Sequence, residues 1–172
     1  MIDTSTLLPL IKPTRKKPWN RVNLPVYSIS SKGNDRSNMH IITYVTPISM
    51  QPKRYVCGIY HGTQTLENVL ITQRFVLQLL GEQQYRLVEL LGKQSGRRVD
   101  KMQWLHKRQL LTTWRDFDIL TEALAVIELQ VADTFEGGDH TGFICDVTGY
   151  KNLNEGTPLT LDKLRAHKLI RI

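Results

Sequence analysis

The chain has 172 residues, 41% hydrophobic and 23% charged, with a formal net charge of +7. That length and balance describe one globular domain able to bury a real core, and they exclude a disordered or fibrous chain. The basic excess attracts anions such as nucleotides without choosing among them, and no apolar run approaches the ~20 residues that cross a bilayer.

Residues 1–20 read as a basic leader carrying Lys12, Arg15, Lys16 and Lys17 with no hydrophobic period. The leader is either an arm for nucleic acid or, the blander reading, a solvated segment lying over a partner subunit and anchored by Trp19. The run Leu7-Leu8-Pro9-Leu10-Ile11 is too short and too proline-broken for a signal peptide, so a cytoplasmic location is expected. Residues 21–172 form the domain. Strand patterning begins at Val22, and Pro25–Ser30 alternates in β-formers. Lys32-Gly33-Asn34-Asp35 is a turn. Met39–Thr46 reads as a second strand and Arg54–Tyr60 as a third.

The period then changes. Leu66, Val69, Leu70 and Gln73 fall on one helical face after Gly62-Thr63-Gln64-Thr65. Phe75–Leu80 returns to strand, and Tyr85–Leu91 reads as a short amphipathic helix. Ser95-Gly96-Arg97-Arg98 is a charged loop. Leu124–Phe135 and His140–Tyr150 form a long hairpin around Glu136-Gly137-Gly138-Asp139. A loop over Asn152–Pro158 leads to a short terminal strand. The sum is six or seven strands with two or three short helices, which fits a closed or nearly closed barrel.

Several chemistries lack their signatures. The chain has no glycine-rich dinucleotide fingerprint and no phosphate loop ending in Gly-Lys-Ser/Thr. The five histidines have no paired metal spacing, so no metal site is expected. Cys57 and Cys145 lie far apart and read as buried thiols.

Two stretches do carry chemistry. His61-Gly62-Thr63-Gln64-Thr65 ends a strand and starts a helix, where free N–H groups, the positive dipole end and hydroxyls make a phosphate cradle. The same stretch also reads as an ordinary N-cap. Thr43-Tyr44-Val45-Thr46-Pro47-Ile48-Ser49 crowds hydroxyls, an aromatic and a proline at a strand end, which suits either a flat heteroaromatic ring or a plain proline turn.

The order of the pieces adds a further signal. Pro25-Val26, then Thr46-Pro47-Ile48-Ser49, then Thr63-x-Thr65-Leu66-Glu67-Asn68, then Phe75–Leu80, resembles the flavin reductase family. So do Ser95-Gly96-Arg97-Arg98-Val99-Asp100-Lys101 and Gly138-Asp139-His140-Thr141. The resemblance runs from about Val22 to Leu161.

It implies a mainly β fold, a six-stranded antiparallel split β-barrel with a few short helices, that forms a homodimer. It implies FMN as cofactor rather than FAD, with NAD(P)H as co-substrate. Thr43, Tyr44, Val45, Thr46, Pro47, Ile48 and Ser49 would line the isoalloxazine ring. His61, Gly62, Thr63 and Thr65 would hold the phosphate, the two threonines through their hydroxyls. Gln78 stands where the family usually has Asn, pointing toward the cofactor, and Lys101 would supply charge near it. His140, the catalytic candidate, would sit over the open face where nicotinamide enters and bind its carboxamide or tune the flavin ring; it reads equally as a capped turn histidine packed against the barrel. A non-catalytic FMN module serving a partner protein is the second reading, and a monooxygenase partner fits either. A nucleic-acid-binding barrel is the third and least favoured.

Overall fold

The structure, a computed structural model, describes residues 17–170. Seven strands form one antiparallel sheet: β1 (Tyr27–Lys32), β2 (Ser37–Ile42), β3 (Val45–Ser49), β4 (Arg54–Tyr60), β5 (Arg74–Leu79), β8 (Ala125–Glu136) and β9 (His140–Asn152). Between β5 and β8 stands a separate two-stranded hairpin, β6 (Leu111–Trp114) and β7 (Phe117–Leu120). Three helices complete the fold: α1 (Gln64–Thr72), α2 (Lys101–Lys107) and α3 (Leu161–Ala166).

The sheet order is β2-β1-β5-β8-β9-β4-β3. The mainly β fold stands, but the expected six-stranded split barrel, closed or nearly closed, is corrected to an open seven-stranded sheet. Its outer strands β2 and β3 are joined by Thr43 and Tyr44 alone, a link that spans on the order of 10 Å at most. The sheet must curl until its two edges meet at that corner. Irregular register at Glu128/Leu129 and Val131/Asp133 bends the long β8–β9 hairpin.

Strand alternation explains the burial on both faces. Ile29, Phe75, Leu77, Leu129 and Phe143 point into the curl and pack with Leu66 and Val69 of α1. Val76 and Val126 point outward and are covered by Phe117 and Ile119 of β7. Ser28 and Ser30 share that outer face, where the Ser30 hydroxyl donates to the Asp118 carbonyl at 2.6 Å. A second core gathers Leu80, Leu91, Leu105, Leu120 and Leu164 at one end of the sheet. Each such buried side chain contributes about 1.5–3 kcal/mol.

Several local expectations are revised. The single strand over Met39–Thr46 is two strands, broken at Thr43-Tyr44. The short amphipathic helix expected over Tyr85–Leu91 is present as a 3-10 helix (Glu82–Leu87) running into a π-helix (Glu89–Lys93), with Leu87, Val88, Leu90 and Leu91 buried and Arg86 and Glu89 exposed. The expected terminal strand is the helix α3. On α1, Leu66 and Val69 are buried but Leu70 is half exposed, and Gln73 is the left-handed C-cap (φ 57°) rather than part of the apolar face. Of the leader, Pro18–Asn20 is a 3-10 turn with Trp19 exposed, and its first sixteen residues lie outside the described ones. Cys57 and Cys145 are buried free thiols, as expected.

Candidate functional site

The corner where β2 passes to β3 opens onto a groove of about 560 Å³ lined by Thr43, Tyr44, Val45, Thr46, Phe135 and His140 among others. Its floor is made by missing side chains. Gly58 and Gly142 face each other across β4 and β9, and Phe135 is the β8 partner of Gly142. A Cβ on Gly142 would fall inside the Phe135 ring, and one on Gly58 would press on Tyr44 Cβ at 3.3 Å. The two glycines thus let the Phe135 ring and the Tyr44 side chain lie close to the backbone, so that these side chains wall the groove as a slot.

His140 begins β9 at the rim of this slot. Its Nδ1 donates to Asp139 Oδ1 at 2.6 Å. The rings of Tyr44 and Tyr60 meet the imidazole edge-on, with centroids 4.9 and 5.2 Å away.

Tyr60 also lines a second, smaller pocket of about 250 Å³, together with Asn38, His40, His61, Gly62, Thr63, Ser95, Gly96 and Lys101. The two cavities therefore adjoin through the Tyr60–His140 contact. The second one is polar and sits at the N-terminus of α1. The amide of Gln64 has no acceptor among the described residues, and Gln64 lines the pocket, so the helix start presents a free donor there. Glu67, the acidic residue of that first turn, is engaged by the Arg97 guanidinium.

Lys101 Nζ is buried and donates to the carbonyls of Leu91 (2.9 Å) and Met39 (3.3 Å). Burial lowers its pKa to about 8, so the ammonium is still charged at neutral pH. Burial, with the nearby charge of Lys101 and His140, lowers the His40 pKa to about 3 and keeps that ring neutral.

The anticipated residues divide between the two cavities. Thr43 to Thr46 line the groove, whereas Pro47, Ile48 and Ser49 run on along β3 beyond its lining. His61, Gly62, Thr63 and Lys101 gather in the polar pocket, and His61 Nε2 is hydrogen-bonded to Thr141 Oγ1 at 3.2 Å.

The two threonine hydroxyls are already engaged. Thr63 Oγ1 donates to the Tyr60 carbonyl and accepts from Leu66 N, an N-cap. Thr65 is fully buried and bonds Asn38 and His40. What this segment offers a ligand is backbone N–H. Gln78 belongs to neither cavity: it is fully buried, and its Oε1 accepts from Leu120 N at 2.7 Å, tying β5 to the β6–β7 hairpin. Its expected position toward the cofactor is corrected on that ground.

Asn38, His40, Tyr60 and Phe135 were not anticipated. For Asn38 and His40 the available signal was their i, i+2 spacing, which puts two polar side chains on one face of a strand. Among the described residues no group of His, Cys, Asp and Glu side chains could hold a metal. No helix there is long and apolar enough to cross a membrane.

Comparison with known proteins agrees with this architecture. The chain is 29% identical over 145 residues to the high molecular weight rubredoxin of Moorella thermoacetica, covering 84% of this chain and 62% of that protein. In fold it resembles an FMN-binding protein from Thermus thermophilus (TM-score 0.69, 24% identity, 81% of this chain and 76% of that one). It also resembles the styrene monooxygenase flavin reductase of Pseudomonas putida S12 (TM-score 0.66, 21% identity, 81% and 86%). Residues 19–169 match the flavin reductase like domain, and the chain belongs to that family.

Proposed function

We propose that this domain binds FMN and serves as an NAD(P)H-dependent flavin oxidoreductase. The observation that carries the reading is the pairing of a groove lined by aromatics and glycines with an adjoining polar pocket at a helix start. A planar ring fits the first and a phosphate the second. The groups at the two ends suit this: backbone groups and aromatics at the slot, the Gln64 amide and the Lys101 ammonium at the pocket.

Bound flavin supplies the hydride chemistry. The protein's own residues do the rest. Tyr44, Phe135 and the glycine pair fix the ring plane, which holds two flat partners in register. His140, steadied by Asp139, stands at the rim to orient a nicotinamide amide through Nε2. The net positive charge draws in both anionic nucleotides.

The reading extends to assembly. Tyr44 and Phe135 of the groove are exposed, as are Ile48, Met50 and Tyr60 along β3, β4 and the turn between them, and among the described residues β3 has no strand on its outer edge. Such a surface supports a homodimer that closes the slot. The reductase resembled in fold is named as part of a styrene monooxygenase system, which supports an oxygenase as the user of the reduced flavin. The rubredoxin relative supports the alternative of an electron-carrying module, and this chain spans only 62% of that protein's length.

Anaerobic addition of NADH and NADPH to the FMN-loaded protein tests the choice. Rapid bleaching of the flavin supports the oxidoreductase. Tight FMN binding with slow bleaching favours the carrier. Failure to bind FMN overturns both.

A further inference from the structure

We propose that His40 is a recognition residue of the polar pocket, offering an acceptor group of the ligand a fixed, neutral N–H donor through Nε2. The inference rests on the reading above that this pocket takes the phosphate end of a flavin.

Strand β2 presents Asn38 and His40 on one face, two residues apart. Asn38 Nδ2 donates to Thr65 Oγ1 at 2.8 Å. Thr65 is fully buried, so its own hydroxyl proton requires an acceptor. Among the described residues the one within reach is His40 Nδ1, at 3.0 Å. Nδ1 is therefore the acceptor, and the ring proton resides on Nε2.

That nitrogen has no protein partner among the described residues, yet it is not among the buried unpaired atoms. His40 lines the polar pocket, so Nε2–H is what it presents there. The relay runs one way, from the Asn38 amide through the Thr65 hydroxyl to the imidazole, and each bond polarises the next.

A second proton on Nδ1 would set two donors against each other at Thr65, and it would add a charge beside Lys101. The ring accordingly stays uncharged across the physiological range. The pocket thus combines one fixed cation, Lys101, with one neutral donor. This set fits a phosphate oxygen, which only accepts, better than a hydroxyl.

The test has two arms. In ¹⁵N-labelled protein, long-range imidazole spectra should show His40 with Nδ1 unprotonated and Nε2 protonated, unchanged from pH 5 to 8. An Nδ1–H ring, or titration within that range, overturns the relay. In the second arm His40→Leu should weaken FMN by about ten- to a hundredfold, the loss of one hydrogen bond to a charged oxygen. Riboflavin, which lacks the phosphate, should change by less than about twofold on the same scale. His40→Gln, which keeps a donor, should recover part of the FMN affinity. Equal losses for both flavins, or no loss for either, contradict the proposal.

If the wild-type protein binds neither flavin, the flavin reading fails by itself. Titration with inorganic phosphate, read at the His40 Nε2 resonance, then still decides whether the donor meets an anion. A shift that saturates upholds it, and an unmoved resonance overturns it.

Discussion

Phe135 lies against Gly142, its register partner across β8 and β9, at a distance that leaves no room for even a methyl group. The contact shapes the slot, so Gly142→Ala should push the ring away. Overpacking of this kind costs about 1–3 kcal/mol. The double variant Gly142→Ala/Phe135→Ala should recover part of that stability in urea unfolding while leaving FMN affinity impaired. Additive losses of stability would show that the two positions do not meet.

His140 is held by Asp139 and by the edges of two tyrosine rings. Its place at the rim predicts a separation of effects. His140→Ala should slow reduction by NAD(P)H at least about tenfold, a modest share of what a positioned polar group supplies, and leave FMN affinity within about threefold. Stopped-flow bleaching and fluorescence titration measure the two. An unchanged reduction rate would make His140 a packing residue only.

Glu128 is nearly buried and bonds Arg74, Arg115 and Thr148. Burial alone would raise its pKa, but those three hydrogen bonds outweigh burial and hold it below the ordinary 4.5. A carboxyl with a folded pKa below its unfolded one contributes stability above the unfolded value and loses it as pH falls. Glu128→Gln should therefore cost about 1–3 kcal/mol at neutral pH. The difference from wild type should shrink as pH falls through 4.5, as read by urea midpoints across that range.

His40 adds an acid limb of its own. Its pKa is lowered from 6.5 to about 3, so between those values the unfolded chain binds a proton that the folded one does not. Stability should fall as pH drops through that window, by at most about 1.4 kcal/mol per unit. His40→Gln should flatten the wild-type slope of unfolding free energy between pH 6.5 and 4. A slope unchanged by the substitution would mean the ring is not held neutral.

Much of the sheet was legible because its strands are β-rich runs separated by turn residues, and the β8–β9 hairpin was placed to within two residues. The sheet's strand count and its open edges were not, since edge pairing depends on contacts that local pattern does not encode. The β6–β7 hairpin escaped notice for a specific reason. Its turn is Arg115-Asp116, both at positive φ (48° and 68°), without the Asn-Gly signal such turns usually carry. Arg115 holds it through Glu128 and the Thr148 carbonyl.

Of the candidate site, the sequence marked two stretches that border cavities. Thr43 to Thr46 line the groove and His61 to Thr63 the polar pocket. The roles of Thr65 and Gln78 were not readable, because their partners are distant in sequence: Asn38 for one, Leu120 for the other. His40 was read only as lacking a metal-spaced partner, because the hydroxyl it bonds lies 25 residues away.

The most direct test is the visible absorbance spectrum of the purified protein with added FMN, recorded without oxygen before and after NADH or NADPH. The account predicts a bound-flavin spectrum that bleaches on addition of a reduced nicotinamide. A protein that leaves the spectrum of free FMN unshifted, and retains no flavin after gel filtration, would contradict it.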